Sequence, residues 1–216
     1  MPEVHARHES KARILDAAMQ VIRSKGYSAA TVDDVCAAAG LTKGSFFHHF
    51  KSKEDLAIAA AAHFGQMADR LFSNAPFAHL SDPFDRLMGY IDFRRSILKG
   101  NIPDYTCLLG TMVQETYETH PPIRDACNTH LSAHAAWVAR DVAAAKALYA
   151  PDANWEPESV GFFTQAVLQG AFILAKAKNG PEIAMECVDH LKRYLDLIFN
   201  QPRKKEGTGN ALHDHR

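Results

Sequence analysis

The stretch Thr31–Leu56, TVDDVCAAAGLTKGSFFHHFKSKEDL, determines how the rest of the chain is interpreted. Its first part has apolar residues at helical spacing and ends at Gly40, since glycine adopts the left-handed conformation of a helix end without a Cβ penalty. Thr42 then supplies an N-cap for a second short helix, which we expect to run to Phe50. Two short helices joined by a tight, glycine-containing turn predict a helix-turn-helix.

The second of these helices begins with small and polar residues, which suit a helix that must enter a DNA major groove about 12 Å wide. Lys43 can donate to guanine or phosphate, and Ser45 can reach a base edge or the backbone. Gly44 has no side chain and permits close approach. Thr31 caps the preceding helix, whose N–H groups can bind a phosphate. Lys53 begins the following helix, an unfavourable place for a cation that a nearby phosphate would explain.

The stretch resembles the DNA-binding signature of TetR-type transcriptional regulators. The matching residues, from about Arg13 to Leu56, are Ile14–Ala18, Gly26, Thr31-Val32, Val35, Ala39–Gly44, His49-Phe50 and Ser52–Leu56. The resemblance implies double-stranded operator DNA as a partner. It places on the DNA face Thr31, Thr42, Lys43, Ser45, Phe47, His48 and Lys53. Phe47 departs from the pattern, because family members usually carry a tyrosine whose hydroxyl reaches a phosphate.

Composition indicates a globular protein. The chain has 216 residues, of which 47% are apolar, and a net charge of −1. Near-neutral total charge does not argue against DNA binding, which needs only a local basic face. The four cysteines are scattered, the N-terminus is polar, and no apolar run approaches the about 18 residues of a membrane span. We expect reduced thiols, a cytoplasmic location and no membrane partner.

Helical periodicity predicts an all-α fold of about nine helices, with a three-helix N-terminal unit and a larger C-terminal one. Outside the helix-turn-helix, the expected helices run from Glu9 or Ser10 to Lys25 and over Ser52–Ser73, Pro83–Lys99, Tyr105–Tyr117, Pro122–Tyr149, Pro157–Lys178 and Pro181–Phe199. The expected domains are a DNA-binding domain at 1–52, a helical effector-binding and dimerisation domain at 53–201, and a disordered tail at 202–216.

The resemblance implies that the C-terminal helices enclose a ligand cavity and that the last two long helices pair with a second subunit as a four-helix bundle. Apolar and small residues form suitable stripes on those two helices: Val160, Phe163, Val167, Gly170, Ala171 and Leu174, then Cys187, Leu191, Tyr194 and Ile198. Packing within one chain is the alternative explanation of these stripes.

Apolar side chains with a few polar neighbours are what a small-molecule pocket needs. The candidates for ligand binding are Met88, Ile91, Cys107, Leu108, Met112, Trp137 and Phe172, and further candidates for the lining are Phe64, Met67, Phe93 and Tyr105. Ordinary core packing is the alternative for each of them.

Two further sites could carry a signal. Cys107 begins a short helix, where N–H groups stabilise a thiolate, and some members of the resembled family sense electrophiles through a cysteine in a similar place. Cys127, His130 and His134 share one helical face and could hold zinc. A small buried cysteine and histidines without a metal role are the structural alternatives.

The sequence shows no nucleophile–base pairing, no metal motif of confident spacing and no glycine-rich phosphate loop, so we predict neither an enzyme nor a cofactor. The prediction is a homodimeric DNA-binding transcriptional regulator, a repressor released from a palindromic operator when a small molecule binds the C-terminal cavity. The alternative is a thiol- or metal-gated regulator that uses Cys107 or the Cys127, His130 and His134 group.

Overall fold

The computed structural model describes the backbone of residues 2–199 and the side chains of residues 9–199. This part of the chain contains ten α-helices, one 3-10 helix and no strand. The helices are α1 Pro2–Lys25, α2 Val32–Ala39, α3 Lys43–His49, α4 Lys53–Ser73, the 3-10 helix Pro76–His79, α5 Pro83–Ser96, α6 Ile102–Tyr105, α7 Leu108–Thr116, α8 Pro121–Tyr149, α9 Pro157–Lys178 and α10 Glu182–Ile198. The all-α prediction is confirmed. The predicted tail, 202–216, lies outside the described residues.

Two predicted helix boundaries are wrong. The first helix begins at Pro2, several residues before Glu9. The single helix expected over Tyr105–Tyr117 is two helices, because a capping box of Asn101 and Asp104 starts α6 in the segment predicted as a turn. An extended Thr106 then ends α6 before α7 begins. This break raises the number of α-helices above the predicted nine.

The buried apolar residues form two clusters. The first joins α1–α4 to α7 and the start of α8, through residues that include Ile14, Phe46, Met112, Ile123 and Cys127. The second joins α5 to α8–α10, through residues that include Leu87, Ile91, Val142, Leu168 and Leu195. Apolar packing therefore crosses the predicted domain boundary at residue 52, which stays a prediction, and the N-terminal helices sit directly on the C-terminal ones.

Within the described residues, α9 is long and apolar enough to cross a membrane by length and composition. It packs between α8 and α10. A Cβ at Gly161 would clash with the carbonyl oxygen of Ala135, so glycine lets α9 lie close to α8. The core helix of a soluble protein meets the same length and composition test, and this packing accounts for the composition of α9.

Candidate DNA-binding surface and effector cavity

Local caps define the helix-turn-helix. The Thr31 hydroxyl accepts from the Asp34 N–H at 3.1 Å, and the Asp34 carboxylate accepts from the Thr31 N–H at 2.9 Å, which fixes the start of α2. Gly40 ends α2 with φ of 62°. The Thr42 hydroxyl accepts from the Ser45 N–H at 3.2 Å and starts α3. The predicted helix-turn-helix is confirmed.

Burial divides α3 into a packed face and an exposed face. Phe46 and Phe50 are buried in the first apolar cluster, where they hold the helix in place. Phe47 is 58% exposed, and Lys43 and His48 are exposed beside it. The exposed face of α3 is therefore the one that could meet DNA.

Lys43 has an ion pair that DNA could displace. Its Nζ lies 2.9 Å from a carboxylate oxygen of Asp33 at the start of α2. Hydrogen bonding to that carboxylate raises the pKa of Lys43. Because both side chains are exposed, the pair adds little stability, and Lys43 can exchange Asp33 for a phosphate or a base.

Lys53 has partners within the chain. Its Nζ donates to the carbonyl oxygens of Tyr27 at 2.9 Å, Ala30 at 3.0 Å and Ser28 at 3.3 Å. An ammonium has only three N–H donors, so these carbonyls account for all of them. Lys53 thus closes the turn between α1 and α2, which explains a cation at the start of α4 without a phosphate, and its part in DNA binding stays a prediction.

Basic residues of α1 also have partners within the chain. The Arg13 guanidinium donates to the carbonyl oxygen of Ala39 at 2.6 Å, which ties α1 to the end of α2. The Lys11 ammonium lies 5.7 Å from the centroid of the Phe50 ring. Arg7, Lys11 and Arg13, on the N-terminal side of the first helix, are candidates for phosphate contact by sequence. Such contacts of Arg13 and Lys11 would compete with those inside the three-helix unit, and the side chain of Arg7 lies outside the described residues.

Arg23 connects α1 to the C-terminal helices. Its place on the charged face of the helix predicts a solvated side chain, but Arg23 is only 7% exposed. Its guanidinium donates to the carbonyl oxygens of Asp104 at 3.4 Å and Thr106 at 3.3 Å. Burial lowers the pKa of Arg23 from its ordinary value. No sequence pattern indicates this contact, because its acceptors are backbone atoms far along the chain.

A cavity of about 200 Å³ lies among α4, α5, α6, α8 and α9. Cys107 and Phe172 line it, and so do Phe64, Met67 and Tyr105. Their part in ligand binding stays a prediction.

The other candidates do not line the cavity: Met88, Ile91, Leu108, Met112, Trp137 and Phe93. Ile91, Leu108 and Met112 are fully buried among their neighbours. Trp137 packs against the rings of Phe72 and Tyr90. Their part in ligand binding stays a prediction that this cavity does not support, because apolar periodicity identifies a buried face without distinguishing a cavity wall from a packed core.

The cavity wall also contains polar residues that the apolar pattern of the sequence did not predict. Arg94, His134 and Gln165 line the cavity. Two buried side-chain atoms have no hydrogen-bond partner in the described part of the chain, Tyr105 Oη and Gln165 Nε2, and both belong to lining residues. One signal was available, because Arg94 follows Ile91 by three positions and so continues the buried stripe of α5.

The proposed zinc ligands do not form a site. Cys127 is fully buried, and burial raises the pKa of its thiol to about 12. His134 Nε2 lies 2.9 Å from the Tyr90 hydroxyl, and burial, with a smaller effect of Arg94, lowers its pKa to about 3. No group of three or more His, Cys, Asp or Glu residues could hold a metal within the described ranges. These contacts do not favour the metal-gated alternative.

Cys107 lies at the start of α7, where its Sγ accepts from the Gly110 N–H at 3.5 Å. It is half-buried and faces the cavity. Gating through this thiol stays an untested alternative.

The fold and the exposed face of α3 define a helix-turn-helix DNA-binding protein. Residues 14–60 match the tetR family of bacterial regulatory proteins, and residues 83–191 match the tetracyclin repressor-like C-terminal domain. The chain therefore belongs to the TetR family of transcriptional regulators, which are not enzymes.

Several curated proteins are similar to the chain. The transcriptional regulator AcuR of Cereibacter sphaeroides is 34% identical over 112 residues, which are 47% of this chain and 49% of AcuR. The uncharacterised regulator YxaF of Bacillus subtilis is 25% identical over 171 residues, which are 79% of this chain and 86% of YxaF. The chain thus spans about half the length of AcuR and most of YxaF.

Solved structures have the same fold. A TetR transcriptional regulator from Chloroflexus aurantiacus has a TM-score of 0.77 and 23% identity, over 88% of this chain and 96% of that one. The regulatory protein TetR from Rhodobacter sphaeroides has a TM-score of 0.75 and 23% identity, over 85% of this chain and 97% of that one. At these identities the likeness concerns the fold alone.

Proposed function

We propose that this protein is a homodimeric repressor that leaves a pseudo-palindromic operator when a small molecule binds its C-terminal cavity. One observation carries the proposal. The helix α4 begins at the turn that supports the helix-turn-helix and continues until its side chains line the cavity. A bound molecule can therefore act on the DNA-binding unit through one rigid element. As a DNA-binding regulator, the protein would act in the cytoplasm.

The proposed DNA contacts lie on α3 and its flanks: Thr31, Thr42, Lys43, Ser45, Phe47 and His48. Lys43 would read a base or hold a phosphate, and the first N–H groups of α2 and α3 would bind backbone phosphates. Phe47 would contact sugar or a thymine methyl group. Lys53 would join this set if DNA exchanged one of its carbonyl partners for a phosphate.

The proposed dimer interface is a stripe on α9 formed by the exposed Phe163 and Leu174 and the half-buried Val167 and Gly170, together with the exposed Tyr194 of α10. Leu174 is 44% exposed, and the Phe163 and Tyr194 rings pack with centroids 4.8 Å apart. A Cβ at Gly170 would meet nothing within 4 Å, so a second backbone could approach there. Exposed apolar surface of this kind fits an interface between two copies.

Only part of the predicted stripes supports this interface. Val160, Ala171 and Leu191 are buried against other helices of the same chain. Each of the two helices thus has one face for its own core and one that is exposed. A two-fold dimer would place two α3 helices in successive major grooves, with half-sites about 34–36 Å apart or at a multiple of that distance.

Three connections support transmission from the cavity to DNA. Helix α4 has 21 residues and so extends about 31 Å. Arg23 of α1 lines the cavity and holds the α6 segment. The Glu115 carboxylate of α7 accepts from the N–H groups of Tyr27 at 3.1 Å and Ser28 at 2.8 Å. A coupling of about 1–3 kcal/mol between ligand and operator is expected for such a system.

The test is selection of bound sites from random double-stranded DNA with the full chain, followed by footprinting with and without candidate ligands. We expect an inverted repeat, protection on two successive turns of one DNA face, and loss of protection when a ligand fills the cavity. A single unrepeated half-site would contradict the dimer, and footprints unchanged by every molecule that binds the cavity would contradict ligand release.

A further inference from the structure

We propose that the cavity takes a small organic anion, a monocarboxylate with an apolar body, whose carboxylate meets the guanidinium of Arg94. The inference rests on the proposed function, in which this cavity is the effector site, and it names the chemical class of the effector. It follows from the hydrogen-bonding groups and charges of the cavity wall.

Arg94 differs from the other arginines of its helix. Arg86 and Arg95 of α5 each form an ion pair at 2.7 Å, with Asp141 and Asp189 respectively. Arg94 has neither an ion pair nor a hydrogen bond to any described residue, although it is half-buried and lines the cavity. A partly buried cation without a counter-ion is unfavourable, and a bound anion would compensate it.

Aromatic rings hold the guanidinium in position. Its carbon lies 5.2 Å from the ring centroid of Phe72, 5.6 Å from that of Phe172 and 6.0 Å from that of Tyr90. Stacking on rings orients a guanidinium but does not neutralise it. The N–H groups of Arg94 are therefore prepared for a planar acceptor such as a carboxylate, which arginine binds with two parallel hydrogen bonds.

Two more donors in the wall lack acceptors. Tyr105 and Gln165 are each 8% exposed, and neither Tyr105 Oη nor Gln165 Nε2 has a partner among the described atoms. Burial raises the pKa of the Tyr90 hydroxyl, and Arg94 and the nearby Gln165 amide oppose that rise, but Gln165 Nε2 has no described partner within hydrogen-bond geometry. A carboxylate only accepts hydrogen bonds, so it complements a wall that offers unpaired donors.

The acidic residues of the lining do not cancel this preference. Asp69 and Asp104 are exposed, and the Asp104 carboxylate accepts from the Asn101 N–H at 2.9 Å. Arg23, which is buried and interacts with the Asp104 carboxylate, adds a positive charge to the wall beside that of the half-buried Arg94. The volume, about 200 Å³, is below the about 300–1,000 Å³ of pockets for drug-sized ligands, so the expected anion is small.

The test measures binding to the full chain without DNA, by calorimetry and by the shift in Tm. The probes are butyrate, hexanoate, benzoate and cinnamate, each with its primary amide, and benzylamine as a cation of similar shape. We expect at least one carboxylate to bind more than 10-fold tighter than its amide, and benzylamine not to bind. The inference would be overturned if none of the carboxylates bound to saturation, or if a carboxylate and its amide bound with equal affinity.

Variants locate the contact. Arg94→Met should weaken the best carboxylate more than 10-fold and leave its amide within two-fold, and Arg94→Gln repeats the test if the methionine variant does not fold. Arg95→Met is the matched control on the same helix, because its ion pair lies outside the cavity. Tyr105→Phe should raise the Tm of the protein without ligand and weaken the carboxylate, a combination that loss of packing would not give. Carboxylate affinity unchanged in Arg94→Met would contradict the proposed contact.

Operator release is measured separately with the same probes. Carboxylates that bind the cavity but leave the DNA complex intact would contradict release by ligand while supporting the chemical class. Release by amides and not by carboxylates would contradict the class while supporting the proposed function.

Discussion

At the scale of single residues, two lysines of the helix-turn-helix region have different roles that the sequence does not separate. Lys43 is exposed on α3 and paired only with an exposed carboxylate. The three N–H groups of Lys53 donate to carbonyl oxygens of the turn after α1. The first is available to DNA, whereas the second stabilises the fold.

The same substitution at both lysines distinguishes these roles. Lys43→Ala should weaken operator binding by about 1–3 kcal/mol and reduce the salt dependence of affinity by about one unit of slope. Lys53→Ala should lower the free energy of unfolding by about 1–3 kcal/mol, because three carbonyls lose a charged donor. Urea unfolding and fluorescence anisotropy at several salt concentrations measure the two effects. If Lys53→Ala folds and the salt dependence of its operator affinity is also reduced, Lys53 does contact a phosphate of the DNA.

His134 should make stability depend on pH. Its pKa is about 3 in the folded protein against an ordinary value of 6.5, so between these values the unfolded chain binds an extra proton. The free energy of unfolding should therefore fall as the pH is lowered below 6.5, with a contribution of about 1.4 kcal/mol per pH unit from this residue. Above 6.5 the contribution is constant.

The measurement is urea unfolding between pH 7.5 and pH 5, compared with His134→Gln, which cannot titrate. The variant should lose less stability over this range than the natural protein. His48→Gln, at an exposed position of α3, is the matched histidine substitution. Identical slopes for all three proteins would mean that His134 titrates normally.

At the scale of elements, α3 lacks one contact that its resemblance to the family implies. Phe47 keeps an exposed ring without a hydroxyl. Phe47→Tyr should tighten operator binding by about 0.5–1.5 kcal/mol if the added hydroxyl donates to a phosphate. Phe46→Tyr is unsuitable as a comparison because that ring is buried, whereas Phe47→Leu changes the same exposed position without adding a hydroxyl and serves as one. Anisotropy on the selected operator measures the gain, and unchanged affinity would place the Phe47 ring away from the backbone.

At the scale of the whole molecule, operator recognition depends on the proposed dimer. Leu174→Glu places a charge on the exposed stripe of α9 and should give monomers with weaker operator binding, while the monomer stays folded because the position is 44% exposed. Leu148→Glu is the matched control, since Leu148 is 64% exposed on α8 outside that stripe. Sedimentation at micromolar concentration measures the state, and a Leu174→Glu dimer would contradict the interface.

The helix-turn-helix was predictable because its structure is set by nearby residues. Thr31, Gly40 and Thr42 each act on backbone groups within four positions of themselves. The cavity was not predictable in the same way. Met112 and Phe172 look alike as apolar helix residues, yet one is in a packed core and the other faces the cavity. The difference depends on which helix lies opposite.

The sequence by itself determined the helical class of this protein, its DNA-binding motif and its membership of a regulator family, because caps, glycine turns and helical periodicity are local properties. Only the tertiary structure decided that Lys53 and Arg23 bind carbonyl oxygens and that Arg94 lines a cavity without an ion pair or hydrogen bond to any described residue. These assignments depend on groups from distant parts of the chain. The neighbours of a side chain, and therefore its charge balance, exist only after the helices have packed.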